Sequence, residues 1–339
     1  MPFRIIRDNI INVASDAIVN SANPKVRVGS GTDTAIYDAV GEERLLEERK
    51  KIGEMEVGQA EATPAFSLPA KYIIHVVGPK YIDGKSQEDV QLRSCYVNCL
   101  KKAEELGCES IAFPLLSSGS YGYPKDLALN AAMEAIGSYL LHHDMDVTLV
   151  VFDRASFSLS RDLLDDIESY IDDHAVMSAA KTEYRDRGYG RRPANFSSGF
   201  LSLRREEEPE EAESCSASSI EEALAEKQSG FRDYLFRLID ERNLADVEVY
   251  KKANIDRKVF SKIKCNENYH PKKKTALAFA IALQLDLQET RDLLARAGFA
   301  LSPADKGDLI IQYFISTHQY DMMSINAALF QYDQPMLTE

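Results

Sequence analysis

The sequence predicts a three-layer α/β unit over residues 1–175 and a second, all-helical unit over residues 231–339, joined by a flexible linker at 176–230. Three observations carry this. Short apolar runs alternate with helix-length amphipathic stretches through the first half. That alternation lapses after Val176 into Ser, Gly and Arg followed by a Glu-rich run at Glu206–Glu213, a composition too poor in apolar surface to offset its ordering entropy. After Gly230 only helical periodicity recurs. At 339 residues the chain is long for one average domain and short for three.

In order, the apolar runs Phe3–Ile6, Ala17–Val19, Tyr72–Val77, Ser110–Phe113 and Val147–Phe152 read as buried strands. The stretches Thr32–Val40, Glu42–Lys51, Ser86–Leu106, Pro124–His142 and Ser158–Asp173 read as the helices between them. Strand alternating with helix implies a sheet covered on both faces, with ligands received where loops leave the carboxyl ends of the strands. A short helix is allowed within the linker at Ile220–Lys227. The second unit reads as helices at Phe231–Asn243, Asp246–Lys252, Asp256–Lys264, Lys272–Gln284 and Leu287–Ala297, then two more. No internal repeat is apparent.

No run reaches the roughly 20 apolar residues of a membrane span, and Arg4, Arg7 and Asp8 charge the N-terminal segment. Five cysteines, odd in number and unevenly spread, suit reduced thiols. A cytoplasmic protein without a membrane partner is expected. Cys95 and Cys99 share a helix face but no histidine lies at ligand spacing, so no metal and no cofactor are expected. The net charge of −14 opposes general coating of nucleic acid. Residues 1–175 hold 17 basic and 28 acidic side chains (−11), whereas 250–274 hold nine basic and two acidic (+7), so that segment is the candidate polyanion contact.

Two loops after strands are built for phosphate. Asn20-Ser21-Ala22-Asn23 continues through Val28-Gly29-Ser30-Gly31 into the helix at Thr32-Asp33, where glycines let a pyrophosphate approach backbone N–H groups. Pro114-Leu115-Leu116-Ser117-Ser118-Gly119-Ser120-Tyr121-Gly122-Tyr123-Pro124 adds hydroxyls, glycines and two aromatic rings ahead of another helix. Either loop alone has a plain structural reading as a strand-to-helix turn. His75, inside an apolar run, reads as a core residue.

With Asp16-Ala17-Ile18-Val19-Asn20-Ser21-Ala22-Asn23, the glycine loop with Asp33, Leu68–Tyr72 through His75–Pro79, and Ile111–Pro124, the first 155 or so residues resemble the macrodomain family. The likeness is to its hydrolytic branch of O-acetyl-ADP-ribose deacetylases and mono-ADP-ribosyl hydrolases. The resemblance implies a macrodomain sandwich that binds ADP-ribose or an ADP-ribosylated protein. It also implies catalytic roles for Asn23, orienting the distal ribose, and Asp33, positioning or deprotonating a water. On spacing alone Asp33 is a first-turn helix residue.

The same resemblance implies ligand contacts from Asn9, Ile10, Asn20, Ala22, Gly29, Ser30, Gly31, Ser117, Ser118, Gly119, Ser120 and Tyr121, with Tyr123 against sugar and base. The sequence departs from the family at Asn9, where an adenine-reading aspartate is usual, with Asp8 where glycine is usual. It departs also at Val28 and Ser30 in the glycine loop and at Tyr37, where histidine is frequent.

In the helical unit, Asp246–Lys252, the turn Ala253-Asn254-Ile255 and Asp256–Lys264 have helix-turn-helix lengths, with Asp256 as an N-cap. The run from Asn254 to Ile263 resembles the helix-turn-helix of phage-repressor-type regulators, although Tyr250 stands where a small residue is usual. That likeness implies a DNA contact through Arg257, Lys258, Ser261 and Lys262. A helical bundle that binds a partner protein, with a solvated basic face, is the equal alternative. For the whole chain the two functional readings are an ADP-ribosyl hydrolase and a non-catalytic ADP-ribose sensor acting as a DNA-binding regulator.

Overall fold

The structure is a computed structural model that describes residues 3–152, 159, 162–172, 230–266 and 269–337. The expected linker and the possible helix within it lie outside the described residues. Six strands form one sheet: β1 (Phe3–Arg7), β2 (Ala17–Ser21), β3 (Ala60–Pro64), β4 (Tyr72–Val76), β5 (Ser110–Pro114) and β6 (Asp146–Val151), in the order β1-β6-β5-β2-β4-β3. All neighbours are parallel except β3, which pairs antiparallel with β4. Helices α1 (Thr32–Val40), α2 (Glu42–Ile52), α3 (Glu88–Glu105) and α4 (Lys125–Leu140) connect the strands, and residues 162–172 form a further helix, α5.

The two-residue period of the strands divides the core into two layers. Ile18, Ile73, Ala112 and Val150 face one apolar cluster with Ile36, Tyr37 and Leu45 of α1 and α2. Their alternates Ala17, Val19, Ile74, Val76, Ile111, Phe113, Val147 and Leu149 face the other, with Leu92, Tyr96, Leu129 and Ile136 of α3 and α4. The sheet is covered on both sides, as its near-continuous apolar strands require.

The second unit contains α6 (Phe231–Glu241), α7 (Asp246–Lys252), α8 (Arg257–Cys265), α9 (Lys273–Ala282), α10 (Leu287–Arg296), α11 (Lys306–Ser316) and α12 (Met322–Gln331). Aspartate starts four of them. Asp256, Asp286, Asp305 and Asp321 each accept a backbone N–H of the first turn, satisfying one of the donors a helix leaves open. Tyr250 is buried with its ring 5.7 Å from that of Phe260, so the large residue at this position is absorbed into the packing between α7 and α8.

The helical unit is packed against the edge of the sheet, and one apolar cluster runs through both. Asn254, in the turn between α7 and α8, accepts the Phe3 N–H through Oδ1 at 2.8 Å and donates from Nδ2 to the Phe3 carbonyl at 2.9 Å. One side-chain amide thus pairs with the free side of β1 as a seventh strand would. Asn254 has φ 53°, a left-handed conformation that asparagine tolerates better than most residues. Nearby, Lys251 Nζ caps the end of α4 through the Leu141 carbonyl at 3.1 Å and pairs with Asp144 at 3.2 Å. Arg7 pairs with Asp333 at 3.4 Å and lies over the Phe330 ring.

Replacing Asn254 by glycine keeps the left-handed backbone at no steric cost and removes only the amide. Two buried hydrogen bonds to the Phe3 backbone are then lost, at about 1–3 kcal/mol each. Urea unfolding followed by far-UV circular dichroism is expected to show a loss of about 2–4 kcal/mol.

Candidate functional site

A cavity of about 670 Å³ opens where β1, β2, β5 and β6 end. Its size is that of a small-molecule site. One end is lined by Asp8, Asn9, Ile10 and Val150–Phe152, the other by Ala22, Asn23, Gly29 and Tyr121, with Ser117–Ser120 between them. The N-termini of α1 and α4 both reach the wall through Thr32 and Lys125, which directs two sets of helix N–H groups and two positive dipole ends at its contents. Across the mouth Ser30 Oγ donates to Ser120 Oγ at 3.0 Å, tying the two glycine-bearing loops together.

Ser117 holds its loop in an unusual form. It has φ 60°, and its buried Oγ has no hydrogen-bond partner among the described residues. A side chain at Gly78 would bring its Cβ within 2.2 Å of that Oγ, so the glycine there makes room for the loop.

Behind the wall lies a buried polar chain. Asn20 and His75 sit at paired positions of β2 and β4, on the face toward α1. Asn20 Nδ2 donates to Asp33 Oδ1 at 2.6 Å and contacts His75 Nδ1 at 3.1 Å, while His75 Nε2 contacts Thr63 Oγ1 at 2.9 Å. Asp33 Oδ2 accepts the Gly29 N–H at 2.5 Å. Because a charged Asp33 can only accept, the Asn20 amide nitrogen must point at it, and its second hydrogen then goes to His75 Nδ1. The imidazole is consequently the neutral Nε2–H form, donating to Thr63.

Burial raises the Asp33 pKa against the opposing effects of Asn20, Gly29 and the Arg49 charge. Arg49 is itself buried and donates to the Asn23 carbonyl at 3.2 Å and to Met55 Sδ.

Most sequence-predicted residues converge on the cavity: Asn9, Ile10, Ala22, Asn23, Gly29, Ser30, Gly31, Ser117, Ser118, Gly119, Ser120 and Tyr121 all line it. Asn20, Asp33 and Tyr123 do not. Asn20 and Asp33 are almost fully buried and support the glycine loop from behind, and Tyr123 is buried edge-on against Tyr81 at 5.0 Å. Asn9 spends its Oδ1 on capping the turn at Ile10–Asn12 by accepting from Ile11 N.

The sequence reading did not name Phe152, Lys125 or Arg49 as site residues and met Asp8 only as a departure from the family pattern. Phe152 is 71% exposed at the cavity's edge, an aromatic at a strand end that reads from sequence as the last strand residue. The Arg257, Lys258, Ser261 and Lys262 side chains are all exposed on α8, away from this cavity.

A sheet of this topology, covered on both faces and with a glycine-lined cavity at its strand ends, defines an α/β module whose candidate ligand site lies where that class places it. Comparison with known proteins places it more closely. The profile of the macro domain matches residues 19–132. O-acetyl-ADP-ribose deacetylase 2 of Pantoea vagans is 39% identical over 165 residues, which is 47% of this chain and 96% of that protein. O-acetyl-ADP-ribose deacetylase of Escherichia fergusonii is 38% identical over 166 residues, 47% and 93% of the two chains. Among solved structures, the Oceanobacillus iheyensis macrodomain with ADP is 32% identical, with 45% of this chain and 84% of that one covered and a TM-score of 0.42. The chain belongs to the macro domain family. No helix among the described residues is long and apolar enough to cross a membrane.

The His75 pKa falls to about 3, first through burial and then through the Arg49 charge. The unfolded chain therefore binds a proton that the native state refuses between about pH 6.5 and 3. Stability contributed by the neutral ring is present above that window and is lost as the pH falls through it, by up to about 1.4 kcal/mol per pH unit. Two-dimensional ¹⁵N spectra of the imidazoles are expected to show an Nε2–H His75 that does not titrate at pH 5.

Proposed function

We propose that the protein binds ADP-ribose in this cavity and hydrolyses ADP-ribosyl linkages, either esters on acidic side chains or O-acetyl-ADP-ribose. The observation that carries the reading is the joining of Asn23 and two glycine-bearing loops around one cavity at the strand ends. The deacetylase relatives support it.

The diphosphate is received by the N–H groups of Gly29–Gly31 and Ser117–Tyr121 and by the two helix N-termini. The adenosine lies toward Asn9, Ile10 and Phe152, and the distal ribose toward Asn23. For an acylated ribose, water attacks the acyl carbon, the bond from that carbon to the ribose oxygen breaks, and the sugar hydroxyl takes up a proton. Asn23, fixed by Arg49 at its carbonyl and by the Lys25 N–H at its Oδ1, orients the ribose for this step. Asp33 acts as a positioning residue: its carboxylate holds the Gly29 N–H, and through it the loop that faces the diphosphate. The substrate's own phosphate oxygens then help to orient the water.

Release of ADP-ribose from a glutamate-linked carrier, and of acetate from O-acetyl-ADP-ribose, tests this. Asn23→Ala is expected to lower kcat on the order of 100-fold with little change in ADP-ribose affinity. Asp33→Ala is expected to lower kcat and weaken ADP-ribose binding together, because the loop is released. Loss of kcat alone in Asp33→Ala would make Asp33 the base itself. No release of either product, with ADP-ribose still bound, would sink the enzyme reading.

A second reading, an ADP-ribose sensor that contacts DNA, is favoured by how the basic segment is arranged. Lys251, Lys252, Lys264 and Lys273 are drawn into ion pairs with Asp144, Glu248, Asp246 and Asp308. Arg257, Lys258 and Lys262 make no ion pair among the described residues and lie exposed on α8, whose opposite side buries Phe260 and Ile263. Arg257→Glu with Lys262→Glu is expected to weaken a DNA gel shift and, if phosphates are the contact, to flatten its salt dependence by about one unit of slope per cation. Unchanged binding to DNA together with loss of a co-purified protein would instead support the partner-protein alternative.

A further inference from the structure

We propose that the loop 80–85 beside the distal-ribose end of the cavity is a docking surface for the polypeptide that carries the ADP-ribosyl group, and that it selects acidic segments. This rests on the hydrolase reading above and adds a substrate class to it.

The loop follows β4 and is joined to the second phosphate loop by the Tyr81 N–H, which donates to the Tyr121 carbonyl at 3.0 Å. It packs few side chains yet is held firmly. Glu88, at the start of α3 and 2% exposed, accepts the N–H groups of Ile82, Asp83 and Gly84 through Oε1 and that of Ser86 through Oε2. Its own amide together with those of Asp83, Ile82 and Ser86 brings the carboxyl down to about 2, against the cost of burial. One carboxylate therefore fixes a protruding loop by its backbone and leaves the side chains outward. The Ile82 side chain is 75% exposed, the most exposed of the large apolar side chains described.

The charges on this surface are sorted. Asp83 turns back to accept the Lys85 N–H and the Ser86 hydroxyl, and Glu88 is enclosed by amides. Lys80 and Lys85 are exposed and make no ion pair among the described residues. Lys80 Nζ lies 5.8 Å from the centre of the Tyr121 ring. Arg27, in the first glycine-bearing loop, is exposed and also without an ion pair among the described residues. Burial and then Asp33 raise the Tyr121 hydroxyl pKa while Arg27 lowers it, so Arg27 is within electrostatic reach of the same ring.

Two loop cations flanking one exposed isoleucine, with a third cation in electrostatic reach of the Tyr121 ring that the loop is tied to, in a half of the chain that carries −11, complement a peptide with carboxylates flanking the modified residue. Lys25 is left out of the surface: the Met55 N–H binds the Pro24 carbonyl, which brings the acidic segment 54–56 beside that stretch of backbone.

The full chain is titrated calorimetrically with free ADP-ribose and with two peptides bearing glutamate-linked ADP-ribose, one with acidic and one with neutral flanks. The acidic peptide is expected to bind about five- to tenfold more tightly than the neutral one at low salt, with the preference fading as salt rises. Arg27→Glu with Lys80→Glu and Lys85→Glu brings the two peptides level and leaves the free ADP-ribose Kd unchanged. Ile82→Ser weakens both peptides equally, again without effect on ADP-ribose.

Equal binding of the two peptides by the unaltered protein overturns the proposal, as does a preference that survives the three charge reversals. Binding with the expected preference but no release of ADP-ribose would overturn the hydrolase reading and keep the docking surface. No binding of any of the three ligands would sink both.

Discussion

The cleft depends on one buried negative charge. Asp33 holds the Gly29 amide on one oxygen and the Asn20 amide on the other, and its charge decides which way the Asn20 side chain faces. That orientation decides the tautomer of His75 and so the direction of the bond to Thr63. A buried carboxylate is costly unless its oxygens are satisfied. Here the compensating groups are those that shape the glycine loop, so the geometry of that wall of the cavity and the satisfaction of Asp33 are a single problem with a single solution. Arg49 links this chain to Asn23 by supplying a positive charge to the pocket and a donor to the Asn23 carbonyl.

The two units meet along β1, and the meeting point is a side chain rather than a surface alone. Apolar contact between α12, α4 and β1 is non-directional, and it fixes proximity without fixing register. Asn254 adds the direction, because its amide fits only the N–H and C=O of one residue, Phe3. The turn between α7 and α8 thereby sits at the amino end of β1, while the cavity lies beyond its carboxyl end, after Arg7. The turn and the cavity thus lie at opposite ends of β1.

Much of this was legible in the sequence. Strands with continuous apolar runs and helices with clear periods are recovered within a few residues, because burial on both faces of a sheet leaves a strong pattern. Strand β3, Ala60–Pro64, was not read, since Ala-Glu-Ala-Thr-Pro alternates only through small alanines, lacks branched or aromatic apolar residues and ends in proline, and its pairing with β4 supplies what its sequence does not. The glycine loops were legible because glycine is required where backbone approaches a ligand or another loop. The orientation of Asp33 was not, since a residue at the second position of a helix can face a cavity or the loop behind it, and the choice depends on Asn20 and Gly29 arriving from elsewhere in the fold. The same holds for Asn254, whose sequence context indicates a turn but says nothing of Phe3, 251 residues away.

An edge strand with unpaired amides is a template for any other strand that drifts past. In this protein one edge of the sheet is closed by Asn254 and the helices around it, so the helical unit serves the first unit as a chaperoning cover whatever else it binds. A chain divided between the units would uncover the β1 edge together with Phe3 and Ile5, both now fully buried. Protection of the first unit's sheet edge is thus a property of the two units together, and separating them would expose that edge while leaving the cavity at the far end of β1 untouched.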